Sequence, residues 1–235
     1  MIIAVCSMLT ACGPQVYYQM YQTKPVSEDI QVKENSMIYE DDNCTVVYDF
    51  WGANGNIGFV MYNKSSENLF VHLDETFFVK NGFANDYYLD RTWTSHSSYG
   101  SPGMQVTRNV TTAEKKVICI PPKASKLISE YNINDIRYFN CDLNDIPSRK
   151  GNNSLTFDKD GSPYKFGNVI SYSMGNSEEK TQINNEFYVS QITNYSHNSI
   201  VKYEYKVVCG KQTYIGNEVF KESGPDKFFI KYVFY

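Results

Sequence analysis

Alternation of apolar and polar residues recurs along most of this chain at short intervals. From Cys44 to Trp51, the residues Cys44, Val46, Tyr48 and Phe50 fall on one side of an extended backbone and Thr45, Val47, Asp49 and Trp51 on the other. That period of two marks a strand with one buried face. Gly52-Ala53-Asn54-Gly55-Asn56 supplies a turn, and Ile57 to Tyr62 is then apolar on both faces, as expected of a strand near the centre of a sandwich. Asn63 to Asn68 is a second turn, Leu69 to Leu73 and Phe77 to Val79 continue the pattern, and Asn81-Gly82 is a strong hairpin signal because both residues tolerate positive φ. Lys115 to Ile120 predicts a strand ended by Pro121-Pro122, since proline donates no ladder hydrogen bond. A short helical turn is predicted in Ser125 to Tyr131. The second half predicts strands at Val169 to Ser173, Phe187 to Ile192, Val201 to Val208, Thr213 to Phe220 and Phe228 to Phe234. In the third of these, Val201, Tyr203, Tyr205 and Val207 alternate with Lys202, Glu204 and Lys206, which predicts one wet face.

Three stretches depart from the alternation. Met1 to Ala11 is apolar and uncharged, too short to span a bilayer as a helix and suited to an export leader. Gly13 to Asn35 is polar with isolated tyrosines and shows no period, so it reads as a tether, or else as a segment whose tyrosines lie against the domain. Asp86 to Thr112 is rich in Tyr, Ser, Thr and Gly and reads as a long excursion between strands. The expected organisation is a leader over 1–11, a lipidated cysteine with its tether over 12–35, and a β-sandwich over 36–235 with a sub-domain boundary near 142–155.

The tetrad Leu9-Thr10-Ala11-Cys12 resembles the lipobox of bacterial lipoproteins. The resemblance implies a lipid on Cys12 and hence a membrane as partner, held by acyl chains without a transmembrane helix. By the same resemblance, the lack of Asp directly after Cys12 implies the outer membrane of a Gram-negative cell. Gly13-Pro14-Gln15-Val16-Tyr17 has no acidic cluster, which implies the periplasmic side. The segments Gly58-Phe59-Val60-Met61-Tyr62-Asn63-Lys64-Ser65, Leu69-Phe70-Val71 and Val117-Ile118-Cys119-Ile120-Pro121-Pro122-Lys123-Ala124-Ser125 resemble an immunoglobulin-like sandwich of the kind found in bacterial envelope proteins. The Cys-Trp-Cys spacing of antibody domains is missing, and such folds host too many roles to imply an activity.

Composition agrees with an all-β class: 20 Tyr and 14 Phe favour half-buried pleated surfaces. The net charge is −4 and the basic residues are dispersed, which argues against nucleic acid as a partner. Cys44, Cys119, Cys141 and Cys209 would meet an oxidising compartment, with three pairings open alongside free thiols. Cys119 and Cys209 sit in apolar surroundings that suit a buried thiol. His72, His96 and His197 lie far apart, and no zinc, phosphate-loop or nucleophile-elbow motif occurs. Phe157-Asp158-Lys159-Asp160-Gly161 lacks the rest of a calcium loop and reads as a turn. The neighbouring carboxylates Asp41-Asp42, Asp74-Glu75 and Glu178-Glu179 point to opposite faces of a strand and do not by themselves make a glycosidase pair. Tyr87, Tyr88, Trp93 and Tyr99 could stack on sugar rings or anchor a protein partner. The expectation is a binding or scaffolding protein of the cell envelope, not an enzyme, with no catalytic, cofactor or metal residues and with an envelope protein or a glycan as partner. An envelope hydrolase or glycan-processing enzyme, and an assembly component whose strand edge another chain completes, are the alternatives.

Overall fold

A computed structural model describes residues 15–101, 104–148 and 152–234. The strands in chain order are β1 (Gln15–Pro25), β2 (Ile30–Lys33), β3 (Ser36–Glu40), β4 (Cys44–Tyr48), β5 (Phe59–Asn63), β6 (Leu69–His72), β7 (Phe77–Lys80), β8 (Phe83–Asp86) and β9 (Thr92–Ser101). They continue as β10 (Met104–Ala113), β11 (Val117–Ile120), β12 (Ser125–Ile128), β13 (Ser154–Thr156), β14 (Lys165–Met174), β15 (Lys180–Ser196), β16 (Val201–Val208), β17 (Lys211–Phe220) and β18 (Lys227–Phe234). A single helical turn, α1 (His197–Ile200), lies between β15 and β16.

The fold is all-β, with antiparallel sheets arranged as in a sandwich. A nine-stranded sheet has the central order β11-β6-β14-β15-β1-β18, with β7 and β8 extending from β14 and β13 lying on β15. A five-stranded sheet has the order β12-β5-β4-β3-β2. The chain crosses between them at the turn after β5, where the fully buried Asn63 donates to the carbonyls of Glu67 and Ile120 at 2.7 and 3.0 Å. It crosses back after β11 at Pro121-Pro122. The hairpin between β7 and β8 turns on Asn81 (φ 49°) and Gly82 (φ 84°), the left-handed pair that a two-residue turn requires.

The core between the sheets is aromatic. Phe50 meets Phe187 edge-on at 4.9 Å and Tyr48 meets the same ring at 5.2 Å, while Phe166 stacks on it at 5.9 Å. Each such side chain contributes about 1.5–3 kcal/mol through burial. Two buried amides satisfy the tyrosines that enter this core: Asn185 donates to Tyr48 Oη at 3.0 Å, and Asn168 accepts from Tyr87 Oη at 3.0 Å while donating to the Ile57 carbonyl. Burial pushes the Tyr48 and Tyr87 phenols well above their ordinary range.

Several expectations are corrected. The stretch over 13–35 is no tether from Gln15 onward: β1 is an interior strand, paired with β15 from Tyr17↔Ser196 to Pro25↔Phe187 and with β18 from Gln15↔Phe234 to Gln22↔Lys227. Its polar residues are tolerated because they are bonded. Gln19, fully buried, donates to the Tyr138 carbonyl and to Asn194 Oδ1 at 2.9 Å each and accepts from the Tyr138 amide at 2.7 Å. The excursion over 86–112 contains the paired strands β9 and β10. The helical turn expected at Ser125 is instead the edge strand β12. Cys44, Cys119, Cys141 and Cys209 are free, and only Cys44 is buried. Cys119 faces out because Ile118 and Ile120 take the inward positions of β11. Cys209 occupies the exposed tip between β16 and β17 with φ 52°.

Candidate binding surface

Two β-ribbons stand apart from the sheets. β9 and β10 pair only with each other, from Thr92↔Ala113 to Ser101↔Met104, and ten residues of strand make a ribbon about 30 Å long. Every described side chain from Thr92 to Ser98 and from Asn109 to Ala113 is exposed. The register sorts these residues into two faces. Trp93 lies opposite Thr112 and Ser95 opposite Val110, so one face carries the half-exposed Trp93 and Val110. The other carries Thr94 with Thr111, their hydroxyls 3.4 Å apart, and His96 with Asn109, bonded at 2.7 Å.

An ionic cluster fixes the root of this ribbon. Arg91 donates through Nη1 and Nη2 to the two oxygens of Glu130, at 2.7 Å each, and Nη2 also donates to Glu114 Oε1 at 2.7 Å. Glu114 Oε2 accepts from the amides of Leu89 and Arg91 at 2.9 and 3.2 Å. Burial opposes ionisation of Glu114, yet the hydrogen bonds from the Arg91 side chain and from the two amides outweigh it and hold the carboxyl below its ordinary range. The same pairing, with Glu130 first and then Glu114, raises the Arg91 pKa. The guanidinium lies 5.4 Å from the Trp93 ring centroid, so the cation that locks the root also braces the exposed indole.

The second ribbon pairs β16 with β17 from Val201↔Phe220 to Val208↔Lys211, with a bulge between Glu204 and Lys206. Its root is a separate small core in which Tyr18, Met20, Ile200 and Val201 pack with Trp51, Phe220 and Phe229. Val201 is buried, but Lys202, Tyr203 and Glu204 after it are all exposed, so the single wet face expected for this strand becomes exposure of both faces over 202–204. A groove of about 640 Å³ beside this root is lined by Val16, Tyr17, Ile146, Pro147, Ser196 and His197, among others.

The remaining sequence candidates are dispersed. His72 Nε2 lies 2.9 Å from Ser173 Oγ across β6 and β14, a cross-strand pair. His197 has Tyr18 Oη at 3.5 Å from Nδ1 and Tyr203 Oη at 3.3 Å from Nε2, with Glu218 at 3.8 Å. Ser196 Oγ, buried beside it, has no hydrogen-bond partner. His96 belongs to the first ribbon. Asp41 accepts from the Asn43 and Cys44 amides and from Tyr172 Oη, while Glu75 pairs with Lys180 at 2.6 Å. Asp158 closes its turn by accepting the Gly161 amide at 2.7 Å. Tyr87 is core, Tyr88 donates to Asp90, and only Trp93 of the aromatic group is described as exposed on the ribbon. Tyr99 side-chain placement and Cys12 lie outside the described residues. Among the described residues no cluster of His, Cys, Asp and Glu could hold a metal ion, and no helix is long and apolar enough to cross a membrane. The ribbon itself was missed by reasoning from sequence; the alternation of Trp93, Ser95 and Ser97 with Thr94, His96 and Ser98 was its only signal.

No family model matches the chain, and no curated protein or solved structure matches it either.

Proposed function

We propose that this protein is a lipid-anchored component of the bacterial cell envelope, attached through Cys12 to the outer membrane on its periplasmic side, that binds or scaffolds another envelope component and performs no chemistry. The observation that carries the reading is the β9–β10 ribbon. Its described side chains are solvent-exposed, and its indole is braced by an arginine held by two carboxylates. Ordering a ten-residue pair of strands in solvent costs conformational entropy that no core burial offsets; contact with a partner would offset it. A protein fits this surface best, because an aromatic anchor, cross-strand hydroxyls and open strand edges suit a strand or loop of another chain. We also take the sandwich to be immunoglobulin-like, which the two crossings at Asn63 and at Pro121-Pro122 support.

A photo-crosslinking residue at position 93 in cells tests this. The expected result is one defined cross-linked species, not formed from the same residue at position 178 on the β14–β15 turn. Turnover of a peptide or glycan library by the purified protein, lost on substitution of His197 or His72, would refute the non-enzymatic reading.

A further inference from the structure

We infer that the end of the sandwich where β1 begins rests directly on the lipid bilayer, an inference that builds on the anchor at Cys12. β1 pairs with β18 from Gln15 onward and is held between β15 and β18 from Tyr17. Cys12 precedes Gln15 by three residues, and three residues of extended chain reach at most about 11 Å. A lipid at Cys12 therefore leaves no slack: the strand start must sit within that distance of the headgroups.

The surface around Gln15 has the chemistry to sit there. β18 brings Phe234 opposite Gln15 and Val233 opposite Val16. Beside it, the segment leading to Ser148 brings Phe139, 66% exposed, and Ile146, 54% exposed, while Val233 is 39% exposed. Three of the rings at this end surround a cation. The Arg137 guanidinium carbon lies 4.4 Å from the Phe139 ring centroid, 4.3 Å from Tyr232 and 5.5 Å from Phe234. Arg137, its side chain only 13% exposed, braces the exposed Phe139 ring at an apolar rim, and a rim of exposed ring and aliphatic side chains matches the interfacial zone of a bilayer. Asp145 lies 3.1 Å from Arg137, so the cluster is close to neutral and needs no anionic lipid. Tyr232 is held in turn, donating to the Asp145 carbonyl at 3.0 Å and stacking on Tyr17 at 5.5 Å. A lipid chain plus a weak apolar contact is the two-signal arrangement that gives stable attachment.

This seating also orients the molecule. β15 runs from Ser196, opposite Tyr17, to Lys180, about 55 Å of strand, and the turn at Gly175 to Glu179 lies at its far end. The β9–β10 ribbon follows Tyr87, whose hydroxyl bonds Asn168 opposite Asn185, so its root belongs to the half of β15 remote from Ser196.

The test uses the lipidated full-length mature protein in vesicles of phosphatidylethanolamine with brominated acyl chains, with and without phosphatidylglycerol. Phe139→Trp and Ile146→Trp report on the proposed face and Glu178→Trp on the opposite end. Expected is loss of emission for the first two beyond that of the native tryptophans, independent of phosphatidylglycerol, and no added loss for the third. Equal quenching at all three positions in protein whose mass confirms a lipid on Cys12 overturns the seating and leaves the anchor intact. A bare Cys12 overturns both.

Discussion

Glu114→Gln tests whether the ribbon is a preorganised element. The substitution is nearly isosteric, and the new amide oxygen can keep accepting from the Leu89 and Arg91 amides. Its NH2 group then faces Arg91 Nη2, which now donates to Glu114 at 2.7 Å, so a charge-assisted bond is replaced by two opposed donors. Such a bond contributes about 1.5–3 kcal/mol. Arg91 keeps its bidentate hold on Glu130 and its side chain is 37% exposed, so solvent screening brings the net loss at Glu114 down to about 1 kcal/mol, or roughly fivefold in an opening equilibrium. Because β9 and β10 pair with no other strand, the opening is confined to the ribbon. Hydrogen exchange should therefore accelerate by about that factor at Leu89 to Thr94 and Thr112 to Lys116, while amides of β1 and β15 keep their wild-type rates. The wild-type ribbon should show a matching pH dependence. The Glu114 pKa is depressed on folding, so its stabilisation is complete above the unfolded value of about 4.3 and is lost as pH falls through the lower folded value. In a Trp51→Phe background, Trp93 emission should change in that acid window and not in Glu114→Gln. Unchanged exchange at the ribbon root, or acceleration spread equally through β1 and β15, would refute the argument.

Three further outcomes follow from the fold. Gly167→Ala should destabilise the protein by roughly 3 kcal/mol or more, read as a fall in Tm, because its Cβ would lie 2.1 Å from the Asn185 carbonyl oxygen and 2.9 Å from Glu186 Cα, backbone atoms that cannot swing aside; an unchanged Tm would contradict the β14–β15 register. Gln19→Leu should cost about 2–4 kcal/mol by taking the donor from the Tyr138 carbonyl and Asn194 Oδ1 and the acceptor from the buried Tyr21 hydroxyl, and limited proteolysis should then cut first between Ser129 and Ser148. Of the four described thiols, Cys119, Cys141 and Cys209 should react promptly with a disulfide reagent in native protein, whereas Cys44 should react only on unfolding. Burial, followed by the Asp41 carboxylate 3.6 Å away, pushes the Cys44 thiol far up, and prompt reaction of all four would contradict its placement.

Where one face is buried and the other wet, the strands were legible in the sequence. β4 buries Cys44, Val46 and Tyr48 and leaves Thr45 and Val47 half-exposed, and the Asn81-Gly82 hairpin forms as its residues require. β1 was hidden because both of its faces are covered and several inward residues are polar: Gln19 and Thr23 are buried, each satisfied by groups more than a hundred residues away. Local sequence cannot announce such partners. The β9–β10 ribbon escaped for the opposite reason, since a pair of strands that covers no core needs no apolar stripe. Cys119 shows the limit of reading neighbours: Val117, Ile118 and Ile120 are apolar, yet on an edge strand the odd positions face solvent. The cluster of Arg91, Glu114 and Glu130 joins positions that carry no common motif in the sequence.

The proposed attachment to the membrane by a lipid stands on one sulfur, Cys12. The direct measurement is the mass of the N-terminal peptide from protein extracted from native membranes. The expected result is a peptide beginning at Cys12 with diacylglyceryl on the thiol and an acyl chain on the amine. A peptide that retains Met1 to Ala11 with an unmodified Cys12 thiol would contradict it.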